Sequence, residues 1–269
     1  MGSLRPEEEW VRVTLERELS AKVVQHDDGS KPAMYDLRVE YDDGRTAAVE
    51  VTAAADAETI EFWNLMNTSG RWIVPELSGG WVVHVLPSAR VKRIRAELPP
   101  LLQGFERTGK RAYGRGAPAE GHVQLAEELG IVRAFQGDTD FPGSIYVYPD
   151  LPIERRAAFV GDTGDPVAEW LGPFLKGAER EDVRIKLADA EADETHAFVW
   201  IPGFTPAPFV VVDVLMRAEV SLPTHDPDLP AEISHVWAMS DWASGLGFAW
   251  SPDRGWFKFD KTVNTGNAS

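Results

Sequence analysis

The stretch Tyr35-Asp36-Leu37-Arg38-Val39-Glu40-Tyr41-Asp42-Asp43-Gly44-Arg45-Thr46-Ala47-Ala48-Val49-Glu50-Val51-Thr52 decides how the first part of the chain folds. Leu37, Val39 and Tyr41 alternate with Arg38 and Glu40, and Ala47, Val49 and Val51 alternate with Ala48, Glu50 and Thr52. Both halves therefore read as half-buried strands. Asp42-Asp43-Gly44 suits a three-residue hairpin loop, a type I turn closed by glycine in the left-handed region. That loop pairs Tyr41 with Arg45, sets Leu37 against Val49 and brings Asp36 opposite Glu50, with Arg38 and Glu40 on the face of those two carboxylates. A two-residue Asp43-Gly44 turn would instead set Asp36 against Val51 and oppose apolar to polar side chains.

Outward from the hairpin, Pro6 followed by Glu7, Glu8 and Glu9 is a helix start, because proline lacks an N–H that would be unbonded there and carboxylates suit the positive helix end. Val11, Leu15 and Leu19 extend an apolar face to about Val24. After the hairpin, Asp56 to Asn67 reads as a helix, and Trp72 to Val74 and Trp81 to Leu86 as short strands. Ser88 is the expected cap of a helix that Pro99-Pro100 interrupts or bends before Leu101 to Phe105. Residues 6–95 are expected to share one mixed sheet. The Gly/Arg-rich stretch from Gly109 to Gly121 marks a boundary, giving domains of 1–115 and 116–269. Beyond it the pattern suggests a helix at Val123 to Leu129, a strand at Ser144 to Tyr148, a helix at Pro166 to Leu175, and strands at Ala197 to Ile201 and Val210 to Leu215. The tryptophan-rich end from Ile233 to Phe259 reads as closing antiparallel strands, followed from Asn264 by a polar tail. The fold class is mixed α+β.

The 269 residues contain no cysteine, which excludes disulfides, zinc–thiolate sites and cysteine nucleophiles. The formal net charge is −16, unevenly placed: residues 1–115 hold 16 Lys/Arg against 18 Asp/Glu, and residues 116–269 hold 11 against 25. A polyanion cannot be gripped by such a surface as a whole. Within residues 90–115, however, Arg90, Lys92, Arg93, Arg95, Arg107, Lys110, Arg111 and Arg115 face only Glu97 and Glu106. This is either a solvated helix face and loop or a stripe that contacts phosphates.

Two carboxylates facing each other across neighbouring strands repel unless they are solvated, protonated or bridged by a cation. Magnesium takes one or two protein carboxylates and completes its shell with water and phosphate oxygens, the arrangement that phosphodiester hydrolysis needs. The region resembles the restriction-endonuclease-like, PD-(D/E)xK nuclease superfamily, whose pattern is a helix bearing a glutamate, a strand with an aspartate, a hairpin, and a strand carrying E-x-K. Asp36 stands at the aspartate, preceded by Tyr35 where the family often has proline, and Glu50-Val51-Thr52 stands at E-x-K. The resemblance covers about residues 6–95 and implies a restriction-endonuclease-like core. It implies Asp36 and Glu50 as ligands of Mg or Mn, the Val51 carbonyl completing the site, and Glu8, with Glu9 as a near alternative, as the helical glutamate. Thr52 takes the place of the lysine and supplies only a neutral hydroxyl. Arg38, or a cation from Arg90, Lys92, Arg93 and Arg95, is then expected to provide the missing charge.

The expected function is metal-dependent nuclease activity on phosphodiester bonds, in DNA ahead of RNA, with a homodimer as the form that cuts both strands. The alternatives are an inactive nuclease-like protein that binds nucleic acid, and an interaction protein whose acidic C-terminal part docks a basic protein partner. His26, His84, His122, His196, His225 and His235 show no i, i+4 pair of the kind found on zinc-binding helices. No Walker-type or dinucleotide glycine loop follows a strand, and no serine sits in a nucleophile elbow. The tryptophans read as core or sheet-face residues ahead of base-stacking platforms. With no apolar run of signal-peptide or membrane-span length, a cytoplasmic location is expected.

Overall fold

A computed structural model describes residues 4–67, 72–114, 123–137 and 141–261. In chain order the elements are α1 (Pro6–Leu19), β1 (Lys22–Gln25), β2 (Leu37–Glu40), β3 (Thr46–Ala53), α2 (Ala57–Asn67), β4 (Trp72–Ile73), β5 (Trp81–Val85), α3 (Val91–Arg107), β6 (Ala112–Gly114), α4 (Val123–Glu128), β7 (Ile131–Gln136) and β8 (Ser144–Pro149). There follow α5 (Asp165–Lys176), α6 (Glu181–Ala188), β9 (Glu194–Ile201), α7 (Phe209–Met216), β10 (His235–Ser240), β11 (Gly247–Ser251) and β12 (Gly255–Phe259). The class is α+β, with mixed sheets flanked by helices. Among the described residues no helix is long and apolar enough to cross a membrane.

The hairpin forms in the expected register. Leu37 pairs with Val49 and Glu40 with Thr46, the Tyr41 N–H donates to the Arg45 carbonyl, and Gly44 closes the turn at a φ of 88°. The chain divides into two compact units, one of residues 1–55 with 154–269 and the other of residues 56–153. In the first, a seven-stranded sheet runs in the order β1-β2-β3-β9-β10-β11-β12. β2 runs antiparallel to both β1 and β3, β9 lies parallel to β3, β10 parallel to β9, and β11 and β12 close the sheet antiparallel. One face, with Leu37, Val49, Phe198 and Trp237, packs under Val11 and Leu15 of α1. The other, with Ala48, Ala197 and Val199, packs under Leu171, Val183, Leu187 and Val214 of α5, α6 and α7.

The second unit has a five-stranded sheet in the order β4-β8-β5-β7-β6, with Trp81, Val83 and Val147 packed against Ile94, Leu98 and Phe105 of α3. Residues 6–95 therefore do not share one sheet: β4 and β5 belong to this unit. The boundary expected near residue 115 also falls elsewhere. β6, before it, pairs with β7, after it, so the Gly/Arg-rich stretch joins two strands of one sheet. Arg115 and the rest of that stretch to Gly121 lie outside the described residues, as does the tail from Asn264.

Three further expectations are corrected. The first helix ends at Leu19, because Ser20 adopts a left-handed φ of 48°, and Val23 and Val24 become strand β1. Pro99 and Pro100 do not interrupt α3, which runs unbroken from Val91 behind Arg90; its buried face of Ile94, Leu98, Leu101, Leu102 and Phe105 holds it together. Val210 to Leu215 is helical and not a strand. β-Branched residues favour strands only weakly, and here Val211, Val214 and Leu215, at i, i+3 and i+4, are buried on one side and outweigh that preference.

Phe198 lies fully buried at the centre of the large sheet, with its ring 6.2 Å from Trp237 and 6.3 Å from Phe259. Phe198→Ala should lower the unfolding free energy by about 3–5 kcal/mol. Urea denaturation followed by far-UV circular dichroism checks this; a loss below about 1 kcal/mol would mean that the core is not packed as described.

Candidate functional site

Asp36 and Glu50 come together at the mouth of the hairpin. Both are buried, at 6% and 4% exposure. Continuing the observed ladder one step past Leu37 and Val49 puts them opposite each other. The Asp36 carboxylate accepts the Val51 N–H at 2.7 Å. In a strand the N–H and C=O of one residue leave on the same side, so the Val51 carbonyl also turns toward Asp36. Glu8, one α-helical turn before Val11, is buried at the same end and lines a cavity of about 260 Å³ with Asp36, Asp27 and Asp28. Its carboxylate is held by Arg5, at 2.8 Å from the backbone N–H and 2.5 Å from Nε.

The positive charge comes from a residue the sequence did not single out. Lys186 donates from Nζ to Glu50 Oε1 at 2.6 Å. It projects from α6, which presents Val183 and Leu187 to the sheet and is anchored by Arg184 hydrogen bonds to the Leu175 and Gly177 carbonyls. In sequence, Val183, Ile185 and Leu187 alternate with Arg184 and Lys186, a strand-like pattern that hides the helix. Thr52 is buried, as its place beside Glu50 requires. Arg38 stands on β2 opposite Ala48; its charge is felt at His26, Tyr35 and Glu40, whereas the cations acting most on Asp36 are Lys186 and Arg5.

Of the basic cluster, Arg93 pairs with Glu97 and Glu128, each at 2.8 Å, and Arg95 hydrogen-bonds the Leu65 and Met66 carbonyls. Arg90 and Lys92 are exposed. All four belong to the unit of residues 56–153, whereas Asp36, Glu50 and Lys186 belong to the other.

Burial dominates the electrostatics of the acidic pair. It pushes Glu50 up to about 8, the Asp36 charge adds to this, and the Lys186 hydrogen bond opposes it. Asp36 is also raised, by burial first, against the Val51 N–H. Burial alone would lower Lys186, but the hydrogen bond to Glu50 raises it. Glu50 Oε2 is buried without a hydrogen-bond partner. A carboxylate oxygen in that position needs a proton, a water or a cation.

A second cluster was not legible in the sequence. The parallel register of β9 and β10 sets His196 beside His235, and with Glu194 they bring one ligand atom each within 4.8 Å of one another. Hydrogen bonding argues against a metal there. The Trp237 indole can only donate, and it reaches His196 Nδ1 at 3.3 Å, so His196 carries its proton on Nε2 and donates to Glu194 at 3.1 Å. The same Glu194 oxygen accepts the Tyr41 hydroxyl at 2.7 Å, and the other accepts Arg45 at 2.6 Å. The His196 hydrogen bond is the chief reason Glu194 is held down to about 2, while burial lowers His235 to about 4. The cluster is a hydrogen-bonded hub that ties β9 and β10 to the hairpin.

No family model matches the chain, and neither the curated proteins nor the solved structures contain a significant match.

The Glu50 shift fixes a sign for stability. Between the ordinary carboxyl value of 4.5 and about 8 the folded protein holds a proton that the unfolded chain has released. The contribution of Glu50 to stability must therefore fall as pH rises through that window, and the raised Asp36 acts in the same direction. In metal-free buffer the urea midpoint of the wild type should drop from pH 5 to pH 8 more than that of Glu50→Gln, which cannot titrate. Parallel slopes for the two proteins would show that Glu50 titrates as an ordinary carboxyl.

Proposed function

We propose that the Asp36–Glu50 site supports metal-dependent hydrolysis of phosphodiester bonds in a nucleic acid, DNA ahead of RNA. The observation that carries this reading is the unpartnered Glu50 Oε2, buried beside a second buried carboxylate. Asp36, Glu50 and the carbonyl of Val51 offer hard oxygen donors to Mg²⁺ or Mn²⁺, and Glu8 lines one cavity with Asp36. A bound ion would polarise a phosphoryl oxygen and lower the pKa of an attacking water. The order of elements supports the same reading: a helix carrying Glu8, a strand led by Asp36, a hairpin, and a strand carrying Glu50 follow the pattern of the restriction-endonuclease-like superfamily.

Lys186 fills the role that Thr52 leaves open. Its ammonium lies 2.6 Å from Glu50 and offsets negative charge at the carboxylates. It would meet the charge that develops on a phosphate in the same way, and it can hydrogen-bond a water beside Glu50. Arg5 keeps Glu8 turned in by two hydrogen bonds, which fixes the third carboxylate without adding a ligand.

Calorimetric titration with Mg²⁺ and Mn²⁺, run beside cleavage assays on plasmid, oligodeoxynucleotide and RNA substrates, tests the reading. The wild type should bind the ion and cleave; Asp36→Asn and Glu50→Gln should fold but lose both. Lys186→Met should keep metal heat while cleavage falls by roughly 100-fold or more, the scale of one lost charge-stabilising donor. Metal heat without cleavage would assign the site to an inactive relative that keeps its ion. Neither heat nor cleavage would make Lys186 the permanent counter-ion of Glu50 and end the nuclease reading.

A further inference from the structure

The ladder that brings Asp36 opposite Glu50 also sets a histidine on its other side. β1 pairs with β2 through Val24 with Arg38 and Gln25 with Leu37, and the His26 N–H keeps the next step by donating to the Asp36 carbonyl at 2.9 Å. His26, Asp36 and Glu50 therefore form one row across the three strands, and Val24, Arg38 and Ala48 form the row beside it. Diagonal neighbours in an antiparallel pair lie about 7–8 Å apart, so Arg38 flanks both His26 and Glu50. The Tyr35 ring stacks on the His26 ring, with centroids 3.8 Å apart and planes 7° from parallel. Tyr35 and Ala48 belong to the core under α5, α6 and α7, so this corner is on the face from which Lys186 reaches Glu50.

The polar groups of this corner are not spent on one another. Arg38 Nε is buried without a hydrogen-bond partner. Among the described residues, the rest of the Arg38 guanidinium, the Tyr35 hydroxyl and the His26 ring nitrogens make no hydrogen bond or ion pair. The Arg38 charge nevertheless acts on both rings. Carboxylates within reach of the corner are engaged elsewhere. Glu40, two residues on from Arg38, pairs with Lys22 at 2.9 Å, and Glu50 pairs with Lys186 at 2.6 Å. Asp27 and Asp28 each accept a backbone N–H at 2.9 Å, from Gly29 and Ser30. In a chain with 43 acidic residues against 27 basic ones, Arg38 is thus an arginine without a carboxylate, placed next to an acidic pair.

We propose that Arg38, His26 and the Tyr35 hydroxyl form an oxyanion site that holds a phosphodiester of the substrate beside the Asp36–Glu50 pair. A guanidinium fork, an imidazole N–H and a hydroxyl offer donors from three side chains, which suits the several oxygens of a tetrahedral anion better than a planar carboxylate. The buried Nε–H of Arg38 gains the acceptor it lacks, while Glu50 Oε2 on the diagonal gains a cation. The two orphaned atoms are of opposite kind, and a metal ion carrying a phosphate supplies both. Lys186 and Arg38 then divide the work: the lysine answers the charge of the carboxylates, and the arginine answers that of the substrate. The choice of a phosphodiester over another tetrahedral anion rests on the nuclease reading of the adjacent carboxylates.

The test uses the full chain in EDTA with dimethyl phosphate as the probe, followed by nuclear magnetic resonance of the isotope-labelled protein. The Arg38 Nε–H signal is identified by its loss in Arg38→Lys. Dimethyl phosphate should move that signal along one saturable curve, and chloride at the same ionic strength should not. Tyr35→Phe should weaken the titration by roughly tenfold, the scale of one hydrogen bond to a charged group. Arg38→Lys, which keeps the charge but not the fork, should raise the KM for oligodeoxynucleotide cleavage by a similar factor and leave the Mg²⁺ heat as in the wild type. Arg38 is half-buried, so unchanged circular dichroism is expected to accompany these effects. A signal that dimethyl phosphate leaves unmoved, or that chloride moves equally, overturns the proposal. Loss of the Mg²⁺ heat in Arg38→Lys would also overturn it, by making Arg38 a support of the carboxylates. Saturable diester binding by a protein with neither metal heat nor cleavage would remove the nuclease reading and leave this site standing; cleavage by a protein whose Arg38 signal does not respond would do the reverse.

Discussion

The pairing of β3 with β9 is the constraint on which the larger unit rests. Thr46–Ala53 is buried along nearly its whole length, and parallel strands need cover on both faces. β9 supplies the lateral hydrogen bonds, α1 covers one face, and α5, α6 and α7 cover the other. The same pairing orders the site. It fixes β3, hence Glu50, and it brings α6 over the face from which Glu50 projects, so Lys186 is delivered to its partner. Glu194, at the start of β9, accepts hydrogen bonds from Tyr41 and Arg45 at the hairpin end, pinning the two strands in register.

The two acidic sites of this sheet are resolved by opposite means. Glu194 is supplied with three donors and sits far below the ordinary carboxyl range. Glu50 receives one strong donor, keeps one oxygen unpartnered, and is pushed up by burial. A fully satisfied carboxylate is a structural fastener; an under-satisfied one in a dry setting calls for a proton, a water or a cation. This contrast separates the two clusters more sharply than their residue types do, since the Glu/His/His group has the more familiar metal-ligand composition.

Local signals were readable where the pattern and the turn chemistry agreed. The hairpin is the clearest instance, because strand alternation and the Asp42-Asp43-Gly44 loop both demand one register, and that register brings Asp36 to Glu50. Reading failed where tertiary packing decided. Val210 to Leu215 looks like a strand and is a helix because its buried residues fall on one helical face. The lysine of the site was out of reach because 136 residues separate it from Glu50 and its helix carries an alternating pattern. The division of the chain was missed for a related reason: composition marks an exposed loop equally well inside a sheet and between domains, and only pairing of β6 with β7 tells them apart.

The interrupted unit also sets an order of events at the ribosome. Residues 1–55 emerge first and can form α1 and the hairpin, but β3 then presents an apolar edge whose partner begins at Glu194. At ordinary translation speeds that edge waits on the order of 10 s, while the intervening 56–153 unit, whose described strands pair with one another, can complete itself. An unpaired buried-type strand is a template for association with other chains. The layout therefore leaves this one edge unpaired until residues 194–201 have been made.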